Sequence, residues 1–221
     1  MKVLSTKTLS LSQKELVLNT GISFVEYDAI KIEFSPVKIP SKISSAIFTS
    51  QNAVRSLEQS KVTIENCFCV GPKTKLLLEE NGRNVVKMSD NSNDLGVFIA
   101  KNHSNDTFYY FCGNERRDEL PNILKSQKIH FLEQKTYKTT PHWQKFDQKW
   151  DGILFFSPSG VSSFVKANLA PNQRLFNYPA FCIGSTTAGV AKDYFSNTVT
   201  ANATTIESVI AKAAKTLKKY D

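Results

Sequence analysis

Short apolar runs alternate with helix-length segments along the whole chain, and this alternation limits the fold more than any other feature of the sequence. Strand candidates fall at 3–6, 46–48, 68–70, 108–111, 153–156 and 180–183. Several are apolar at successive positions rather than at every second one, which fits strands covered on both sheet faces. Helical segments follow at 52–58, 73–80, 118–125, 161–166 and 188–194. Near the end, Ile206, Val209, Ile210, Ala213 and Leu217 recur at helical spacing, with Thr204 and Glu207 placed as a capping box. Strand–helix alternation of this kind predicts an α/β fold of parallel sheets.

A second pattern is an internal echo. Ile47-Phe48-Thr49-Ser50-Gln51-Asn52-Ala53-Val54 resembles Phe155-Phe156-Ser157-Pro158-Ser159-Gly160-Val161, and Thr49 and Ser157 lie 108 positions apart. Cys69-Val70-Gly71-Pro72-Lys73-Thr74 resembles Cys182-Ile183-Gly184-Ser185-Thr186-Thr187 at an offset of 113. Two motifs repeating at nearly one offset predict two α/β units of like design. No Gly/Ser-rich stretch separates them, so the boundary is expected to be structured.

Each echo sets hydroxyl residues where a strand's carboxyl end turns into a helix, the edge at which open parallel sheets bind ligands. Backbone N–H groups at such turns, with Ser and Thr hydroxyls, suit carboxylates or phosphates. The same residues also suit plain helix caps. A third motif, Gly113-Asn114-Glu115-Arg116-Arg117, sits past a strand end, with Arg117 placed to pair an anionic ligand or the nearby Asp118 and Glu119. Tyr137 closes the following strand, as a hydrogen-bond donor or as a packing residue.

Other chemistries find little purchase. G-x-G-x-x-G, G-x-x-x-x-G-K-[ST] and G-x-S-x-G are all missing from the sequence. His103, His130 and His142 lack metal-ligand spacing, and His142, following Pro141, reads as a helix start. The four cysteines, Cys67, Cys69, Cys112 and Cys182, lie in apolar runs and read as buried, reduced thiols. The formal net charge of +8 favours an anionic partner. Its basic residues are scattered, which argues against a nucleic-acid stripe. No apolar run approaches the roughly 20 residues of a membrane span. The first residues read as a strand rather than a leader, so a cytoplasmic protein is expected, and a monomer, since no heptad seam is present.

Taken in order, these motifs resemble the uroporphyrinogen-III synthase family: the 47–54 stretch, the Val70-Gly71-x-x-Thr74 turn, Gly113-Asn114 with Arg117 and Leu120-Pro121, Tyr137-x-Thr139, the 155–161 stretch and Ile183-Gly184-x-Thr186-Thr187-Ala188. The resemblance spans nearly the whole chain. It implies two α/β domains joined by a two-stranded β ladder with a cleft between them. One domain would be residues 1–33 with 140–221, and the other the inserted segment 34–139. It further implies a cofactor-free lyase that cyclises hydroxymethylbilane, a linear tetrapyrrole polycarboxylate, to uroporphyrinogen III with loss of water and inversion of ring D. In that picture Thr49, Ser50, Gln51, Thr74, Gly113, Asn114, Arg117, Ser157, Ser159, Gly160, Thr186 and Thr187 bind substrate. Tyr137 assists departure of the hydroxyl, and Lys75 is available as a further carboxylate partner. A non-catalytic two-lobed binder of a polyanionic metabolite would use the same strand-edge cradles, and a bilane cyclisation assay separates the two.

Overall fold

The computed structural model describes residues 1–170 and 175–218. In chain order its elements are β1 (Lys2–Ser5), α1 (Leu11–Leu18), β2 (Ser23–Glu26), β3 (Ile30–Phe34), β4 (Lys42–Phe48), α2 (Gln51–Arg55), β5 (Thr63–Val70), α3 (Pro72–Glu80), β6 (Val85–Ser89) and α4 (Ser92–Asn102). These are followed by β7 (Thr107–Gly113), α5 (Glu119–Ser126), β8 (His130–Pro141), β9 (Gly152–Phe155), α6 (Pro158–Asn168), β10 (Ala180–Cys182), α7 (Ser185–Ala191), β11 (Thr198–Thr200) and α8 (Ile206–Leu217). The chain divides into two compact units, Met1–Lys31 with Thr140–Asp221, and Ile32–Thr139. It passes from one to the other within β3 and returns within β8, and these two strands are hydrogen-bonded neighbours.

Each unit is built on a parallel sheet. The first sheet runs β11-β10-β9-β1-β2, with its strand pairs all parallel. The second runs β3-β8-β7-β4-β5-β6, parallel from β8 to β6. Written as β2-β1-β9-β10-β11 and β8-β7-β4-β5-β6, the two orders match strand for strand. The echoed motifs then follow equivalent strands, since β4 corresponds to β9 and β5 to β10. The internal repeat in the sequence is therefore a repeat of position in the sheet.

Burial explains why the central strands read as unbroken apolar runs. β9 and β10 are buried at every position. Leu4, Ile153, Phe155 and Cys182 enter one core with Val161 and Phe164 of α6 and Ala188 of α7. Val3, Leu154 and Phe181 enter the other with Val209, Ile210 and Ala213 of α8. In the second unit Ala46 and Phe48 face α2 and α3, while Ile47 faces Leu95 and Ile99 of α4 and Leu120 of α5. β2 and β3 are only half-buried or exposed, and α1 buries only Val17, so the sequence carries little signal for them. Among the described residues no helix is long and apolar enough to cross a membrane.

Two local expectations are corrected. The last helix begins at Ile206 with Thr205, not Thr204, as its N-cap. Thr205 Oγ1 accepts from the Ser208 N–H at 3.1 Å, and Ser208 Oγ accepts from the Ala203 N–H at 3.0 Å. Glu207 instead accepts from Gln13 Nε2 of α1. Nor does a helix start at His142. Its N–H donates to the Ala29 carbonyl at 2.8 Å and its ring Nδ1 donates to the Asp28 carbonyl, which holds the chain extended.

Candidate functional site

In both sheets the chain reverses its direction of winding beside one central strand. In the second unit this switch point lies between β4 and β7, and in the first between β1 and β9. At a switch point the loops leaving the two strands diverge to opposite faces, which leaves a crevice at the carboxyl edge. The sequence motifs fall on those edges.

In the second unit, Thr49 and Ser50 leave β4. Thr49 Oγ1 is 3.1 Å from the Tyr110 hydroxyl, beneath the rim on β7. Ser50 caps α2, its Oγ accepting from the Asn52 N–H at 3.1 Å. Across the switch point, the β7–β8 register shifts between Cys112 and Gly113, which brings Gly113 opposite Tyr137. Here glycine is required by space: a Cβ at Gly113 would stand 2.4 Å from Tyr137 Cε2. Burial holds the Tyr137 phenol above its ordinary pKa, with the Ser50 side chain acting in the opposite direction. Tyr137 is thus a neutral hydrogen-bonding phenol throughout the physiological range.

Asn114 is tied to the partner strand. Its Oδ1 accepts from the Thr139 N–H at 2.7 Å, its Nδ2 donates to the Thr139 carbonyl, and its own N–H donates to the Tyr137 carbonyl. The amide thereby extends the β7–β8 ladder past the bulge and fixes the backbone of Tyr137. Arg116 donates to Glu133 on β8 through Nε at 2.8 Å and also pairs Asp118. Arg117 beside it is exposed. One strand along, Gly71 ends β5 at φ +86°, a left-handed conformation that only glycine adopts without strain, and Pro72 opens α3. Thr74 in the first turn of α3 is buried. Lys75 faces Glu79 at 3.6 Å on the same helix.

In the first unit, Thr6 follows β1 and its Oγ1 donates to the Leu154 carbonyl of β9 at 2.7 Å. Ser157 caps α6, its Oγ accepting from the Gly160 N–H at 3.0 Å, with Pro158 at the first helical position. Ser159 lies half-buried beside it. Gly184 caps α7; Thr186 is exposed on its first turn, and Thr187 is buried with 3% of its surface accessible. The structure therefore groups Thr49, Ser50, Gly113, Asn114 and Tyr137 at one switch point, and Ser157, Ser159 and Gly160 at the other. Thr74 with Gly71, and Thr186 and Thr187 with Gly184, stand on the neighbouring strand ends.

Sequence reasoning missed Tyr110, Thr6 and Arg116. Tyr110 lies in an apolar run like any core aromatic, and no local signal marks it as the partner of Thr49. The sequence motif singles out Arg117, whereas Arg116 is marked by its bonds to Glu133 on β8 and to Asp118, which need the partner strand in place. Chemically, both rims offer hydroxyls and backbone donors suited to carboxylates, with one phenol as an acid group. Among the described residues no three His, Cys, Asp or Glu side chains cluster to hold a metal ion.

A family model described as uroporphyrinogen-III synthase HemD matches residues 14–211. The fold is similar to that of uroporphyrinogen-III synthetase from Helicobacter pylori, with TM-score 0.73 and 18% identity over 97% of this chain and 99% of that one. It is also similar to a mutant uroporphyrinogen III synthase from the extremely thermophilic bacterium Thermus thermophilus, with TM-score 0.65 and 13% identity over the full length of both. No curated protein sequence matches significantly.

Proposed function

Because the chain belongs to the uroporphyrinogen-III synthase family, the cyclising lyases of tetrapyrrole biosynthesis, we propose that its two sheet rims bind the carboxylates of hydroxymethylbilane and that Tyr137 assists loss of the terminal hydroxyl. The observation supporting this reading is the position of the motifs. Hydroxyls and glycines that repeat in the sequence occupy the carboxyl edges at both topological switch points, with a phenol beside one of them.

The chemistry asks little of the protein's acids and bases. A pyrrole nitrogen of the substrate pushes electrons toward the hydroxymethyl carbon, the C–O bond breaks, and the hydroxyl leaves as water with one added proton. The azafulvene cation so formed is attacked by the substituted α-carbon of ring D to give a spiro intermediate. The bond from that carbon to the methylene of ring C then breaks, which forms a second azafulvene cation. This is attacked by the free α-carbon of the turned ring D, whose proton goes to solvent or to the phenolate. Tyr137, kept neutral by burial, donates toward the departing oxygen. Holding a flexible chain in one reactive arrangement is worth effective molarities of about 10⁵ M or more, which makes positioning the principal contribution.

Gln51, Ser159 and Thr186, which are half-buried or exposed, serve as direct donors to substrate carboxylates, and Arg117 adds charge at the loop mouth. Thr49, Asn114, Thr74 and Thr187 shape the rims from beneath or alongside. The protein acts without a cofactor, as a cytoplasmic monomer, and the bilane is its partner rather than a nucleic acid or a membrane.

Tyr137→Phe tests the assignment. Assayed for isomer III formation, it is expected to lose at least tenfold in kcat with KM little changed. A kcat within about twofold of wild type, well under 1 kcal/mol of barrier, would remove Tyr137 from the mechanism.

A further inference from the structure

The geometry points to Tyr110 as a positioning residue for substrate binding: its phenol donates to Thr49 Oγ1, which leaves the Thr49 proton free for a carboxylate of the bilane. The inference rests on the reading of the rims as carboxylate sites, and it gives Thr49 a donor's task beyond shaping the rim.

Register brings the two hydroxyls together. Ile47 of β4 stands opposite Tyr110 of β7, and both enter the core shared with α4 and α5. Thr49 lies two residues beyond Ile47, on the same side of the sheet and diagonal to the tyrosine. A phenol spans that diagonal, and its oxygen ends 3.1 Å from Thr49 Oγ1.

Burial decides which oxygen donates. Tyr110 is 2% exposed, while Thr49 is half-buried. Each hydroxyl carries one proton and two lone pairs, and only one proton can lie between them. Were Thr49 the donor, the phenol proton would lose its acceptor in a core with Ile47, Leu95 and Leu120. An unpaired buried donor is costly. Burial pushes the phenol up to about 12, so Tyr110 keeps that proton at neutral pH. The phenol is also the more acidic of the two groups, hence the better donor. Accepting from it polarises the Thr49 hydroxyl toward donating its own proton.

The equivalent place in the first unit differs in one respect. In the matched strand orders β1 corresponds to β7 and β9 to β4. There Thr6, just past β1, donates to the Leu154 carbonyl of β9 at 2.7 Å. Both units thus tie their switch-point strands through a side-chain hydroxyl. In the first unit the acceptor is a carbonyl, which has no proton of its own to donate. In the second it is a hydroxyl, which has one. A tie between strands needs only an acceptor, whereas an acceptor that is also a donor adds a hydrogen bond for a ligand.

The test measures kcat and KM for isomer III formation on Tyr110→Phe, Thr49→Val, the double variant, Thr49→Ser and Gln51→Ala. Thr49→Val should raise KM about tenfold and Tyr110→Phe about threefold, each with kcat within about twofold. In the Thr49→Val background, Tyr110→Phe should change KM less than about 1.5-fold, and Thr49→Ser should keep KM within about twofold of wild type. An unchanged KM in Tyr110→Phe, or an equal rise in both backgrounds, would reduce the contact to a strand tie and overturn the proposal. An unchanged KM in Thr49→Val beside a raised KM in Gln51→Ala would also overturn it, with the carboxylate reading left standing. Unchanged KM in both would remove that reading as well. Should Thr49→Val fail to fold with its buried phenol unpaired, the double variant, which lacks both hydroxyls, is compared with Tyr110→Phe instead. A KM about threefold higher in the double variant then supports the proposal, and an equal KM overturns it.

Discussion

Gly113 lacks a side chain because the Tyr137 ring occupies the space that one would fill. A Cβ at 2.4 Å from Cε2 and 2.6 Å from Cζ cannot be absorbed by a small shift, so Gly113→Ala must displace the ring. We expect a destabilisation of about 1–3 kcal/mol by urea titration, typical of overpacking, together with a loss of kcat at least as large as that of Tyr137→Phe. Wild-type kcat in Gly113→Ala would mean that the ring position does not matter to the reaction. The sequence marked both Gly113 and Tyr137 but offered no reason to join them. Their contact depends on a register shift in β7–β8, and a shift of one residue leaves no trace in apolar periodicity. Asn114 was likewise legible as a polar residue past a strand end, but its use of both amide atoms on Thr139 needs the partner strand in place.

At the scale of elements, the strand ends and the turns that follow them were the most legible features. Ser50 and Ser157 are serines after apolar strands, and both cap the next helix. Replacing Ser157 by Ala leaves the Gly160 N–H without its acceptor and should lower stability by about 1 kcal/mol in urea, with the slope unchanged. No change in midpoint would show that water replaces the cap at no cost. Boundaries were read less well. The α8 cap fell one residue later than the Thr–x–x–Glu pattern indicates, with Thr205 Oγ1 taking the Ser208 N–H and Ser208 Oγ taking the Ala203 N–H. Proline before His142 resembles a helix entry, yet the Ala29 carbonyl takes the N–H that a first turn would leave unpaired. Tertiary partners decided both cases.

For the molecule as a whole, the fold class was carried by alternation and the doubling by the echo. The winding that places the motifs at switch points could be read only once strands were ordered in space. Burial of the thiols has a measurable consequence at this scale. All four cysteines are free and buried, and burial pushes Cys69 up to about 11 and Cys67, Cys112 and Cys182 up to about 12, from an ordinary value of 9.0. Between about pH 9 and 12 the unfolded chain thus loses thiol protons that the folded chain keeps. Stability from this source is complete below about pH 9 and falls as pH rises through that window. The buried phenols Tyr27 and Tyr110 and the half-buried Tyr178, raised by desolvation, act in the same direction. Urea midpoints should be level from about pH 7 to 8.5 and drop by about pH 10, and a thiol reagent at about pH 8 should label the protein only as it unfolds. A midpoint unchanged at about pH 10 would contradict this.

The central claim is that geometry selects the product and the phenol only speeds its formation. The direct measurement is the ratio of porphyrin isomers after hydroxymethylbilane is incubated with purified protein and oxidised, at protein concentrations where enzymic closure outruns the spontaneous reaction. Control by positioning predicts isomer III from the wild type and, more slowly, isomer III from Tyr137→Phe. Isomer I from the wild type, in the proportion formed without protein, would contradict it.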